Sequence, residues 1–436
     1  MRSTPEGGSR HSGASSRGPT ETSRRAHDLR DATRSPVSEM DDPYLRGLVV
    51  LTMPTLDPGA NGRPPLSHLT ATVSPLIQLS TGVQARLLPA PAVRVSFVAV
   101  DDLVETLDRI ALETSFSGAV RVDRGDDVLL AKAYGYAHRG YRIANTVDTQ
   151  FAIASGTKGL TALAVVSLIE DGQLEWDTRA RSVLGQDLPL INDAVTVEHL
   201  LAHRSGIGDY LDESGDHPIT DYVLPVPVHE LATTEQYLAV LHGRPTAFEP
   251  DEQFSYCDGG YVVLSLIAER TSGIPFHELV RQRVCEPAGM HDTEFLRSDE
   301  LPRGAALGYL SIDGGRTNVF HLPVLGSGDG GIYSTVADIN SLWRGLFDGR
   351  IVSRAGVAQM VRPRSDAPSA SMRYGLGFWL DGSGSAVMLE GYDAGVSFRS
   401  VYDPVSRIAH TVVANTSEGA WPLTRHLGEF LARSAT

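Results

Sequence analysis

Residues 155–172 read SGTKGLTALAVVSLIEDG. A serine opens the stretch, apolar residues follow, and Gly172 closes it. That is the pattern of a buried helix with a polar start and a glycine stop. Lys158 comes three residues after Ser155, and residues three apart share a helix face, so the two side chains are neighbours. This lysine stands out. Lysine and arginine together number 38, yet only Lys132 and Lys158 are lysine. A coding preference for arginine explains the scarcity but not the lysine kept here. Arginine stays protonated in proteins, whereas a desolvated lysine can lose its proton. Alone, the pair carries little, since the serine could cap the helix and the lysine face water.

Outward from this helix, the chain divides by composition. Residues 1–40 are rich in Ser, Arg, Thr, Gly and Pro and poor in aliphatics. Such a segment cannot offset its ordering entropy, so a disordered extension is expected. Residues 41–100 are more apolar and Pro-punctuated, without a clear period, and are unassigned. An ordered domain is expected over 101–436. It begins with DDLVETLDRIALETS, whose apolar positions 103, 104, 107, 110 and 112 have helical spacing. SGAVRVDRGDDVLLAKAYGYAH then reads as strand, turn and strand. The end of the chain returns to strands at 374–380, 386–391, 396–404 and 407–417, before a last helix, PLTRHLGEFLARS. Short links make consecutive strands antiparallel. The two early strands and the late ones can form one sheet, with terminal helices on it and a helical region inserted between.

The formal charge is −15, and residues 1–100 carry +3 of it, so the remainder is strongly acidic. This argues against nucleic acid or an anionic membrane as main partner. No run approaches the ~20 apolar residues of a membrane span, and no export signal is evident from Met1. Two cysteines, Cys257 and Cys285, make no disulfide framework. A cytoplasmic protein is expected. No grouping has metal-ligand spacing and no phosphate loop is present, so no cofactor is implied. The oligomeric state is left open.

A second segment, FSYCDGGYVVLSLIAERTSG at 254–273, places Tyr256 and Asp258 before another apolar helix. Beside a serine and a lysine, Tyr256 is a candidate proton carrier. At this point the chain resembles the serine β-lactamase and penicillin-binding superfamily, in particular its branch of class C-like enzymes and esterases. SGTK at 155–158 is similar to the first motif, and YCD at 256–258 to the second, Y-x-N. LLAHRSGIGDY (200–210), EPAGMHDTEF (286–295), GGIYSTVADINSLWRGLFDG (330–349) and YGLGFW (374–379) follow in the order expected. The resemblance implies an α+β fold of the β-lactamase/transpeptidase type: an antiparallel sheet flanked by helices, with an inserted, mostly helical region. It implies Ser155 as acylated nucleophile, with Lys158 and Tyr256 sharing general acid and base work. It also implies two backbone oxyanion donors, the N–H of Ser155 and one on the strand of the third motif.

That third motif departs from the K-T-G or H-x-G pattern. Counting back from Ala394–Gly395 places Leu389-Glu390-Gly391 there, with the N–H of Tyr392 as second oxyanion donor. The cation is missing, and Glu390 is expected to repel a substrate carboxylate unless Arg399 supplies the charge. Poor β-lactam turnover and a preference for neutral or cationic substrates follow. Asp258 replaces the asparagine of the second motif, and its charge favours the ammonium of Lys158. His203 reads as structural and Cys257 as a small buried thiol. The expected function is hydrolysis of an ester or amide in a small or peptide-like substrate through an acyl-enzyme. The alternatives are a catalytically weakened ligand-binding or sensor protein on the same fold, or a true β-lactamase or D-alanyl peptidase.

Overall fold

The computed structural model describes residues 97–211, 218–367 and 371–433. The disorder expected for 1–40, and most of the unassigned stretch 41–100, fall outside these residues. The main sheet has eight strands, numbered here in chain order with the longer helices. Helix α1 is Phe97–Glu113, followed by β1 (Gly118–Arg124) and β2 (Asp127–Tyr134). The sheet resumes with β3 (Ser365–Ala367), β4 (Met372–Tyr374), β5 (Trp379–Asp381), β6 (Val387–Asp393), β7 (Val396–Asp403) and β8 (Ile408–Ala414). Its order is β2-β1-β8-β7-β6-β5-β4-β3, with every neighbour antiparallel. The early hairpin therefore docks on the last strand, Gly118 opposite Ala414 and Arg124 opposite Ile408. Between hairpin and late strands lie α2 (Thr157–Glu170), α3 (Asp258–Ser272), α4 (Val336–Phe347) and several shorter turns of helix. Helix α5, Ala420–Arg433, ends the described chain.

Alternation along β1 and β8 separates two cores. Val120, Val122, Ile408 and Val412 face Leu103, Leu107 and Ala111 of α1 and Leu423 and Leu427 of α5. Ala119, Ala409 and Val413 join the larger core, with Leu160, Leu163 and Val166 of α2 and Leu342 and Trp343 of α4. In α1 the buried stripe is 103, 107 and 111, while Leu112, which the apolar spacing includes, is 82% exposed. Helix α2 is buried on every side from Thr157 to Leu168, as expected of a helix packed between sheet and inserted helices.

The stretch 374–380 is two strands and not one. Tyr374 pairs with Trp379 across a tight turn in which Gly377 has φ +87°. There the backbone passes so close to α2 that a Cβ would lie 2.3 Å from that of Ala162.

Candidate active site

Two short strands lead into Ser155. Phe151 and Ala152 pair with Ser334 and Tyr333, and the chain then turns into one turn of 3₁₀ helix over Ala154–Gly156, ahead of α2. Ser155 lies in that turn and caps nothing; the N-cap of α2 is Gly156, without a side-chain bond. The helix-cap reading of Ser155 is thereby corrected, and the cause is the extra turn. Gly172, at φ +71°, does end the helix. Ala154, immediately before the serine, sits at φ +45°, in the left-handed region that alanine seldom occupies. Strain of this kind persists where the surroundings over-determine the backbone.

Lys158 is 1% exposed, and its ammonium is spoken for. Nζ donates to Ser155 Oγ at 2.9 Å, to Asp258 Oδ1 at 2.5 Å and to the carbonyl of Asp329 at 2.8 Å. Burial works against its charge, but Asp258, Tyr256 and Asp329 outweigh burial and hold it well above the ordinary lysine range. The ring of Tyr256 lies 4.9 Å from Nζ. That ring stacks on Trp379, with centroids 5.7 Å apart and planes 11° apart. On its other contacts it meets His203, at 4.3 Å. Ser155 and Tyr256 are partly exposed, whereas Lys158 and Asp258 are buried.

The second motif is fixed by the loop 200–210, in which the sequence singles out His203 but not Asp209. Asp209 accepts the N–H groups of Asp258 (2.8 Å) and Gly259 (2.9 Å), and so secures the first turn of α3. The ring of His203 accepts from the N–H of Cys257 through Nδ1, at 3.0 Å. It packs among Phe254, Tyr256, Tyr261 and Tyr374. Burial holds His203 neutral, well below its usual range. Cys257 is buried, and burial pushes its thiol up, away from reactivity.

The glycine-rich loop 326–331 forms the opposite wall. It gives Lys158 the Asp329 carbonyl, and Tyr210 donates its hydroxyl to Asp329 Oδ2. Burial raises the carboxyls of Asp209 and Asp329. Asp393, on β6, is pushed up to about 7 by burial, with Asp258 and Asp329 adding to the effect. Asp209, Asp329 and Asp393 had one signal in the sequence: each stands beside glycine, or between glycines, in or next to the stretches that carry the resemblance.

Strand β6 brings the third motif to the serine. A Cβ on Gly391 would lie 2.1 Å from the Ile153 carbonyl, so only glycine lets the strand approach there. Leu389 packs on Gly159 of α2. β5 pairs with β6 only at Val387 and Met388, so Leu389–Asp393 is paired on one side, by β7. Glu390 does not stand where the sequence reading put it. Successive strand residues face opposite sides, so Glu390 is on the face away from Gly391, ion-paired with Arg399 across β6–β7. Arg399 lies over Trp421 of α5, 5.6 Å from its ring, and Tyr392 donates its hydroxyl to Glu418 at 2.8 Å. Neither the expected repulsion by Glu390 nor a replacement cation from Arg399 therefore reaches the serine side of the strand. On that side the first position of the motif is the buried, apolar Leu389.

Fold and site together define a class, the serine hydrolases built on the β-lactamase/transpeptidase fold. A family model described as Beta-lactamase matches residues 100–428, and the chain belongs to that family. It is similar to the putative penicillin-binding protein PbpX of Bacillus subtilis, 27% identical over 288 residues, covering 64% of this chain and 68% of that one. Esterase EstB of Burkholderia gladioli is 32% identical over 199 residues, 44% of this chain and 50% of EstB. Among solved structures, a penicillin-binding protein from Bacillus halodurans superposes with a TM-score of 0.68 at 34% identity, covering 74% of this chain and 98% of that one. Among the described residues, no helix is long and apolar enough to cross a membrane, and no group of three or more His, Cys, Asp or Glu residues could hold a metal ion.

Proposed function

We propose that the protein hydrolyses an ester or amide bond in a small or peptide-like substrate through an acyl-enzyme on Ser155. One observation carries this reading: a partly exposed serine accepts a hydrogen bond from a buried ammonium that is itself held by Asp258 and the Asp329 carbonyl. Because Lys158 donates to Oγ, the serine's own hydrogen is directed to another acceptor. Tyr256, whose ring lies 4.9 Å from the Lys158 ammonium, is assigned as that acceptor. Ser155 Oγ attacks the carbonyl carbon while its proton passes to the Tyr256 oxygen. The tetrahedral intermediate collapses as Tyr256 returns the proton to the leaving alcohol or amine. Water then attacks the acyl carbon, its proton passes through Tyr256 to Ser155 Oγ, and the carboxylic acid departs. The N–H groups of Ser155 and Tyr392 stabilise the oxyanion. A cytoplasmic site of action belongs to the same reading.

Intact-mass labelling with a fluorophosphonate tests it. One adduct is expected on the wild type and none on Ser155→Ala, with Tyr256→Phe labelling at least about a hundredfold more slowly. A folded wild type that takes no adduct would favour the ligand-binding alternative instead.

Nitrocefin is expected to be a poor substrate, because Leu389 stands where a cation would pair with the β-lactam carboxylate and Arg399 is engaged by Glu390. Rapid, Ser155-dependent nitrocefin turnover would contradict that part of the reading and return the true β-lactamase alternative to first place.

A further inference from the structure

With Glu390 removed from the substrate side, the charge of the pocket has a different source. Asp393 follows Gly391 by two residues, so strand alternation puts it on the face of β6 that meets the start of α2. It stands where the strand leaves the serine, within the electrostatic reach of Lys158, Asp258 and Asp329. Its Oδ1 accepts the N–H of Ala394 at 2.8 Å, and among the described residues Oδ2 has no donor. Asp258 is 3% exposed, and its Oδ2 is also without a hydrogen-bond partner. The one ammonium in this group, Lys158, is shared among Ser155, Asp258 and the Asp329 carbonyl. Asp258 has Lys158 as its counter-ion, whereas Asp393 is partly exposed and has no ion-pair partner among the described residues, so it presents an uncompensated carboxylate to an entering substrate.

We propose that Asp393 is the specificity residue that receives a primary ammonium of the substrate, so that the protein prefers amine-bearing acyl donors to neutral ones. This rests on the hydrolase reading above. The ammonium supplies the missing charge and a donor to Asp393 Oδ2, in place of the carboxylate–cation contact that the third motif lacks. A substrate carboxylate in the same position meets Asp393 and is rejected.

The test uses two pairs of phenyl esters that differ only in an ammonium replacing a terminal methyl: β-alanine against butanoate, and 6-aminohexanoate against heptanoate. Hydrolysis is followed at about pH 8, where the alkylammonium stays charged and Asp393 is ionised. The quantity read is the ratio of kcat/KM within a pair. In the wild type the amine member of at least one pair is expected to be faster by about tenfold or more. In Asp393→Asn the ratio falls to near one. A wild-type ratio at or below one for both pairs overturns the proposal without recourse to any variant. A high ratio that persists in Asp393→Asn overturns the assignment to this residue. Absence of any Ser155-dependent hydrolysis, neutral esters included, removes the hydrolase reading and this proposal with it.

Discussion

Lys158→Arg is expected to lower kcat/KM by about a thousandfold or more, although it keeps the charge and matches the arginine used almost everywhere else in the chain. The loss has a geometric cause. Nζ is a compact donor holding Ser155 Oγ, Asp258 Oδ1 and the Asp329 carbonyl from a fully buried position. A planar guanidinium has its donors in a fixed fork, and adds volume where Gly159 and Gly377 already bring α2 into close contact with the sheet. Either Asp258 or Ser155 loses its bond. Steady-state hydrolysis of a neutral phenyl ester, with circular dichroism to show that the variant is folded, measures it. Activity within tenfold of the wild type would show that any cation serves, and would remove the ammonium geometry from the mechanism.

Asp258→Asn restores the residue that the resemblance leads one to expect, and its effect is nonetheless predicted to be harmful. The pair is nearly dry: side-chain exposures are 2% for Lys158 and 4% for Asp258. Removing one charge of a buried pair costs about 3 kcal/mol, here moderated by the hydrogen bond that asparagine can still accept. A fall of several degrees in Tm follows. The kinetic consequence has a definite sign. Asp258 helps hold Lys158 above the ordinary lysine range. Without it the ammonium loses its proton at lower pH, and the alkaline limb of kcat/KM moves to lower pH with it. An alkaline limb that stays in place would mean that the charge on Lys158 is not what activates Tyr256.

Much of this architecture is legible in the sequence, for physical reasons that can be named. The β1–β2 hairpin shows as two apolar runs around DRGDD, and the turn falls at Gly125–Asp126 between Arg124 and Asp127. Helices α2 and α3 show because long apolar runs begin at polar motifs and end at Gly172 and Gly273. Where the structure differs, one cause recurs: neighbours along the chain are not neighbours in space. Its motif neighbours put Glu390 by the substrate, whereas period-two alternation sets it apart from Gly391 and beside Arg399. The aromatics of YGLGFWL suggest one strand, although Gly377 folds the segment back on itself. Asp209, Asp329 and Asp393 come from three separate loops and strands, and their shared electrostatics exists only once the chain is folded. Their only local mark is the glycines nearby, which says nothing of their shared surroundings.

The pairing of β1 with β8 also sets when this site can come into being. Gly118 waits for Ala414, and closing so long a loop is slow because its entropy is lost before the contacts form. During synthesis Ser155, Tyr256 and Gly391 all emerge before the strand that sits beside β1 at the middle of the sheet. Until then β1 offers an open edge, a hazard for chaperones to cover. The proposed site therefore depends on a strand that carries none of its groups, because β8 joins β1 to β7 and follows Ser155, Tyr256 and Gly391 in the chain.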